Sequence, residues 1–231
     1  MRRDDLRRVL RLATVVTGDR DFVVIGSQSI HGAFDPPVLE GPLTSSMEAD
    51  VLPLLDDDGD KAELLQTIGL TDLAAGLEGA VEVDGVSIRT AALPVGWKDR
   101  LIPLLADEDD PDGTIGWCLD PHDLAVAKAV AGRANDIRYL EAMARKGLID
   151  PAAAAARLDD LDAGCARPDV ARVIAAQALL QRLHRAEHLF QPRSTTPPKG
   201  RRRPARSDFA DPLDPYADFK RLAAERDDDR P

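Results

Sequence analysis

Asp21-Phe22-Val23-Val24-Ile25-Gly26-Ser27-Gln28-Ser29-Ile30 is the stretch on which the reading of this chain turns. The apolar run from Phe22 to Ile25 is short, rich in β-branched residues and closed by a glycine, so it predicts a buried strand rather than a helix. Gly26-Ser27 then predicts a tight turn that opens a helix. Backbone N–H groups at a helix start lack partners and carry partial positive charge, which suits a phosphate. Glycine lets the backbone come close, and Ser27 adds a hydroxyl donor. Many strand–helix turns hold Gly and Ser for steric reasons alone, so both readings stand at this point.

Before this stretch, Leu6, Val9, Leu10, Ala13 and Val16 share one helical face over residues 4–17, which Gly18-Asp19 terminates. After it, residues 35–45 are rich in Pro and Gly and predict a loop. The next strand runs from Met47 to Leu54, stopped by Asp56-Asp57-Asp58-Gly59. Residues i and i+2 of a strand point to one face. Glu48 and Asp50 therefore project side by side, while Met47, Ala49 and Val51 turn to the core. Two carboxylates held that close call for a cation or a shared proton, and Mg²⁺ prefers such hard oxygen ligands. An acidic, solvent-facing strand end is the competing reading. A helix is expected over Lys61–Ile68, strands near 80–84, 86–93 and 114–119, a turn at Pro94-Val95-Gly96-Trp97, and helices over 121–132, 135–146, 151–160 and 168–189. Strands followed by helices predict an α+β fold: a small mixed sheet flanked by helices, then a C-terminal helical region.

Charge and composition bound the function classes. The 231 residues hold 30 Lys+Arg and 41 Asp+Glu, a formal net charge of -11. Residues 1–190 account for -13 of it and residues 191–231 for +2, the latter with seven of the seventeen prolines. The acidic body argues against indiscriminate nucleic-acid binding, which needs basic surface. No run approaches the ~20 apolar residues of a membrane span, and Met1-Arg2-Arg3-Asp4-Asp5 lacks the apolar stretch of a secretory signal. Two cysteines, Cys118 and Cys165, without a CxxC spacing speak against a disulfide scaffold or thiolate zinc site, and point to the cytoplasm. The expected division is 1–120 as the α/β core, 121–190 as the helical region, and 191–231 as a disordered Pro/Arg/Asp-rich tail. Within the tail, Asp214-Pro215 followed by Tyr216, Phe219 and Leu222 predicts a short helix that orders on contact. The Arg193–Arg206 stretch, with Arg201-Arg202-Arg203, either attracts RNA or keeps the tail soluble.

A Gly-Ser turn after a buried strand, followed by an acid-x-acid strand, is where a family resemblance enters. The chain resembles the minimal nucleotidyltransferases of the abortive-infection and toxin–antitoxin type, and more narrowly an uncharacterised bacterial branch of them. The matching stretches are Phe22–Ile30, Ser46-Met47-Glu48-Ala49-Asp50-Val51, and Leu119-Asp120-Pro121-His122-Asp123-Leu124-Ala125-Val126-Ala127-Lys128-Ala129-Val130-Ala131-Gly132-Arg133-Ala134-Asn135-Asp136. Together they cover roughly residues 5–150. The resemblance implies that Gly26 and Ser27 hold a nucleoside triphosphate, that Glu48 and Asp50 bind Mg²⁺, and that Lys128 reaches the phosphates. It further implies that Asp136 orients a base or holds the acceptor and that Arg133 braces the helix pair beside the nucleotide. The implied reaction moves a nucleoside monophosphate from an NTP to a hydroxyl of tRNA, a protein or a small molecule, with a cognate antitoxin as a partner. Departures are visible. Glu48 stands where the family usually has aspartate, Thr44 where an arginine is common, and Ser46 where a threonine is. A third carboxylate is open among Glu82, Asp84 and Asp99. A catalytically silent regulator that binds nucleotide or a protein partner is therefore the alternative, and a plain interaction module a third.

Other residues carry less. From its helix, Lys128 points either to the phosphates or to solvent. His184 and His188, four apart, have a metal-ligand spacing but no third ligand. His31 follows the Gly-Ser turn and reads as a phosphate contact or a structural residue, and Cys118 reads as core.

Overall fold

The computed structural model describes residues 1–55, 61–70, 82–107, 109 and 113–190, with backbone alone at 69, 70 and 187–190. Helix α1 (Arg3–Thr17) buries Leu6, Val9, Leu10 and Ala13, the stripe its periodicity dictates. It stops at Gly18, whose φ of 77° lets its N–H return to the Thr14 carbonyl. Five strands follow: β1 (Asp21–Val24), β2 (Glu48–Pro53), β3 (Glu82–Gly85), β4 (Ile102–Leu105) and β5 (Ile115–Cys118). Their order across the sheet is β3-β2-β1-β5-β4. β1 pairs parallel to β5 and antiparallel to β2, β2 is parallel to β3, and β4 is antiparallel to β5. This is a mixed sheet flanked by helices, the fold class expected.

Leu6, Leu10, Phe22, Val24, Ala49, Val51 and Cys118 belong to one apolar cluster joining α1 to the sheet. Gly116 makes close packing of α1 on β5 feasible, because a Cβ there would lie 2.6 Å from Leu10 Cδ1. Between β1 and β2 the chain runs through a six-residue 3-10 segment at Ser27–Gly32 and single 3-10 turns at Pro36–Val38 and Gly41–Leu43. The helix expected after Gly26 is thus a short 3-10 segment of six residues.

Two strand expectations need correction. Residues 86–93 do not form a strand. β3 ends at Gly85, where a Cβ would come within 2.0 Å of the Ala62 carbonyl of α2 (Ala62–Gln66), and Ser87 then caps a 3-10 turn over Ile88–Thr90. Conversely, β4 was not anticipated, because Pro103 argues against a strand interior. It is accommodated since β4 lies at the sheet edge, where a missing N–H is tolerated.

The helical region comprises α3 (Pro121–Ala131), α4 (Ala134–Arg145), α5 (Pro151–Arg157) and α6 (Val170–Phe190). α3 has Asp120 as N-cap, Pro121 at its first position and Gly132 at φ 63° past its end. α3, α5 and α6 pack on one another, and α3 also packs against the Ser27–Gly32 turn. An ion network fixes the start of α3. Fully buried Asp123 accepts from Arg100 Nε (2.8 Å) and Nη2 (3.1 Å) and from Arg157 Nη1 (2.7 Å). Asp120 accepts from Arg157 Nη1 at 2.6 Å and lies 3.2 Å from His122 Nδ1. His122 Nε2 accepts the Asp150 N–H at 3.0 Å, tying α5 to α3. Burial alone would raise the Asp120 carboxyl, but hydrogen bonds from His122 and the charge of Arg157 hold it well below the ordinary carboxylate range.

Met1–Gln191 forms one compact unit. Among the described residues, no helix is long and apolar enough to cross a membrane. The Asp56-Asp57-Asp58 loop, the Arg193–Arg206 stretch, the expected Tyr216–Leu222 helix and the His188 side chain all lie outside the described residues.

Candidate functional site

The site forms where β1 ends and β2 and β3 begin, beside the start of α4. Alternation along β2 buries Ala49 and Val51 completely and sends Glu48 and Asp50 to the other face. The parallel register of β3 sets Glu82 opposite Glu48 and Asp84 opposite Asp50. One carboxylate oxygen from each of Glu48, Asp50 and Asp84 lies within 4.8 Å of the others. The third carboxylate is therefore Asp84, which also accepts from Gln66 Nε2 at 3.3 Å. Glu82 is exposed and stands outside this group, and Asp99 lies on the Trp97–Arg100 turn, also outside it.

Asp50 is the electrostatic centre. Burial, then the charges of Glu48 and Asp84, push its carboxyl up to about 6, while Lys128 pulls it the other way. Gly26 abuts it so closely that a Cβ there would fall 1.5 Å from Asp50 Oδ2. The glycine read from sequence as room for a phosphate is thus required first by a carboxylate. The Ile25 N–H donates to the Asp50 carbonyl at 3.2 Å, locking the end of β1 to β2.

Lys128 is buried and turned inward, not to solvent. Its Nζ donates to Ser27 Oγ and to Asp136 Oδ1, both at 3.0 Å. Asp136, in the first turn of α4, is buried, and its Oδ2 has no hydrogen-bond partner among the described residues. Arg133, the N-cap residue of α4, is exposed; its carbonyl accepts the Ile137 N–H at 3.0 Å, and its side chain makes no hydrogen bond or ion pair among the described residues. The α3–α4 pair is joined by Lys128–Asp136 instead. Of the residues named from sequence, the structure brings Gly26 and Ser27 together with Asp50 and Lys128, Glu48 with Asp50, and Lys128 with Asp136.

Tyr139 was missed. Its hydroxyl donates to the Ser27 carbonyl at 2.7 Å, and its ring lies 4.4 Å from Lys128 Nζ. The one signal was its spacing: three residues after Asp136, it shares that residue's helix face. Gln28, also missed, is fully buried, and its Nε2 donates to the Ser46 carbonyl at 3.0 Å, steadying the approach to Glu48.

The remaining candidates are structural. His31 Nε2 lies 3.3 Å from the Met1 carbonyl, and burial pushes its imidazole down to about 4. Burial pushes the Cys118 thiol up to about 12, as fits a core residue. His184 lies on α6 and belongs to no metal-ligand group among the described residues.

Three converging carboxylates, one with its carboxyl pushed up by burial and by the charges of the other two, fit a hard divalent cation such as Mg²⁺. A fixed ammonium next to them suits a phosphate. No curated protein and no solved structure matches the chain. Residues 4–167 match the family model described as nucleotidyltransferase of unknown function (DUF6036), and the chain, with its mixed sheet, acidic triad and buried lysine, belongs to that nucleotidyltransferase family.

Proposed function

We propose that the protein is a Mg²⁺-dependent nucleotidyltransferase that moves a nucleoside monophosphate from an NTP to a hydroxyl group. The observation that carries this reading is the convergence of Glu48, Asp50 and Asp84 beside the Lys128–Ser27 pair. Mg²⁺ held by Glu48, Asp50 and Asp84 would supply charge neutralisation for the phosphates and for the departing pyrophosphate. Lys128 offers a compact positive charge to the triphosphate, with Gly26 and Ser27 as the turn against which the phosphates lie. Asp136 holds Lys128 through Oδ1 and keeps Oδ2 for the acceptor or a base. Arg133 reaches the nucleotide from the exposed start of α4. The acceptor oxygen displaces pyrophosphate at the α-phosphorus, so one P–O bond forms as another breaks.

The resemblance to abortive-infection and toxin–antitoxin enzymes supports a macromolecular acceptor, tRNA or protein, a toxin role and a cognate antitoxin. Asp84 removes one motive for a silent regulator, since that alternative rested partly on the want of a third acid. The test is to incubate pure protein with each α-labelled NTP, Mg²⁺, and tRNA, protein extract or hydroxyl-bearing small molecules in separate reactions. Label is expected on one acceptor class, and none with Glu48→Ala plus Asp50→Ala. Equal labelling by that double variant would falsify the catalytic assignment. Stabilisation by NTP that is indifferent to Mg²⁺ and to the acids, without transfer, would favour the silent binder.

A further inference from the structure

Lys128 is not a mobile arm. An ammonium has three N–H donors, and two of them are engaged by Ser27 Oγ and Asp136 Oδ1 at 3.0 Å each. The Tyr139 ring covers the charge at 4.4 Å, within the range of a cation–π contact. The same tyrosine donates its hydroxyl to the Ser27 carbonyl at 2.7 Å. Tyr139 is 3% exposed, and burial pushes its phenol far above the usual range, so the hydroxyl stays a donor at every working pH. One side chain of α4 thus touches both Ser27 and Lys128, by two chemically separable contacts: an O–H···O bond to the turn and a π face to the lysine.

We propose that Tyr139 is a positioning residue for the triphosphate, its hydroxyl fixing the Ser27 turn and its ring fixing the Lys128 ammonium before the nucleotide arrives. This rests on the nucleotidyl-transfer reading, which places the triphosphate against Ser27 and Lys128. Preformed donors bind a polyanion without first reorganising, so loosening either contact weakens triphosphate binding. The ring and the hydroxyl act on different groups, and their removal gives different signatures.

The experiment compares the full-length wild type with Tyr139→Phe and Tyr139→Leu. The first readout needs no catalysis: the rate at which acetic anhydride modifies Lys128 relative to exposed Lys146, followed by mass spectrometry. Tyr139→Phe keeps the ring, and its Lys128 rate is expected within about twofold of wild type, whereas Tyr139→Leu uncovers the ammonium and raises it about tenfold. The second readout is calorimetric affinity for inorganic tripolyphosphate, together with KM and kcat for the transferred NTP. Loss of the hydroxyl bond in Tyr139→Phe is expected to weaken affinity and raise KM about fivefold, with kcat within about twofold. Tyr139→Leu is expected to lower kcat as well. The proposal is overturned if both variants match wild type in Lys128 rate and affinity. It is equally overturned if the two variants change by the same factor, since a packing role would not distinguish ring from hydroxyl. Should the wild type transfer no nucleotide, the functional reading falls, while the Lys128 rates still decide whether Tyr139 holds the lysine.

Discussion

Asp50→Asn offers a test in which the sign of the effect is set by electrostatics rather than by lost contacts. In the fold the Asp50 carboxyl titrates at about 6, against 3.8 for a free side chain, because burial and the neighbouring Glu48 and Asp84 oppose its charge. The native state therefore binds more protons than the unfolded chain between those values, and stability falls as the pH rises from about 4 to about 6. At about 1.4 kcal/mol per pH unit, the shift bounds the penalty of the ionised form at about 3 kcal/mol, and partial solvent access lowers it to about 1–2 kcal/mol. Asparagine removes the charge at nearly the same size. With EDTA present, urea unfolding followed by circular dichroism should show Asp50→Asn more stable than wild type by about 1–2 kcal/mol at pH 7.5, with the difference vanishing near pH 4. Added Mg²⁺ should stabilise wild type and leave the variant unmoved. A variant less stable by the same amount at both pH values would refute the argument, because it would show Asp50 held by bonds that an amide cannot replace.

Three further outcomes are expected. Gly26→Ala places a Cβ 1.5 Å from Asp50 Oδ2, so the carboxylate must swing away; Mg²⁺ affinity should fall at least about tenfold with little change in Tm, as titration calorimetry and melting together would show. Lys128→Met strands the buried Asp136 carboxylate and should destabilise by about 3–5 kcal/mol, while Lys128→Met with Asp136→Asn recovers much of that loss in urea unfolding. Asp84→Asn should abolish Mg²⁺-dependent stabilisation and Glu82→Gln should preserve it, because Asp84, and not Glu82, groups with Glu48 and Asp50 among the described residues; equal losses in a thermal-shift titration would contradict that geometry.

Much of this was legible in the amino-acid order because the relevant physics is local. The Leu6–Val9–Leu10–Ala13 stripe announces α1, the Phe22–Ile25 run announces a central strand, and the Glu48-Ala49-Asp50 alternation announces two acids on one face. Asp84 could not be singled out from Glu82 and Asp99, since its partnership with Asp50 depends on the β2–β3 register, a non-local fact. Tyr139 was hidden for the same reason: the carbonyl its hydroxyl bonds lies on a turn 112 residues earlier. β4 was masked by Pro103, which is unfavourable inside a sheet but tolerated at the edge. Gly26 was noticed for a general reason, whereas its specific one is the Asp50 carboxylate.

Helix α6 carries a consequence of another kind. The family match ends at residue 167, before α6 begins, yet α6 packs on α3 and α5 and buries Ala176, Leu180 and Leu183. A chain cut at that boundary would bare the apolar back of α3, the helix that carries Lys128, and would associate or lose definition there. The segment delimited by sequence similarity is smaller than the segment that folds, and expression of the matched region alone would yield a site whose lysine has lost its backing.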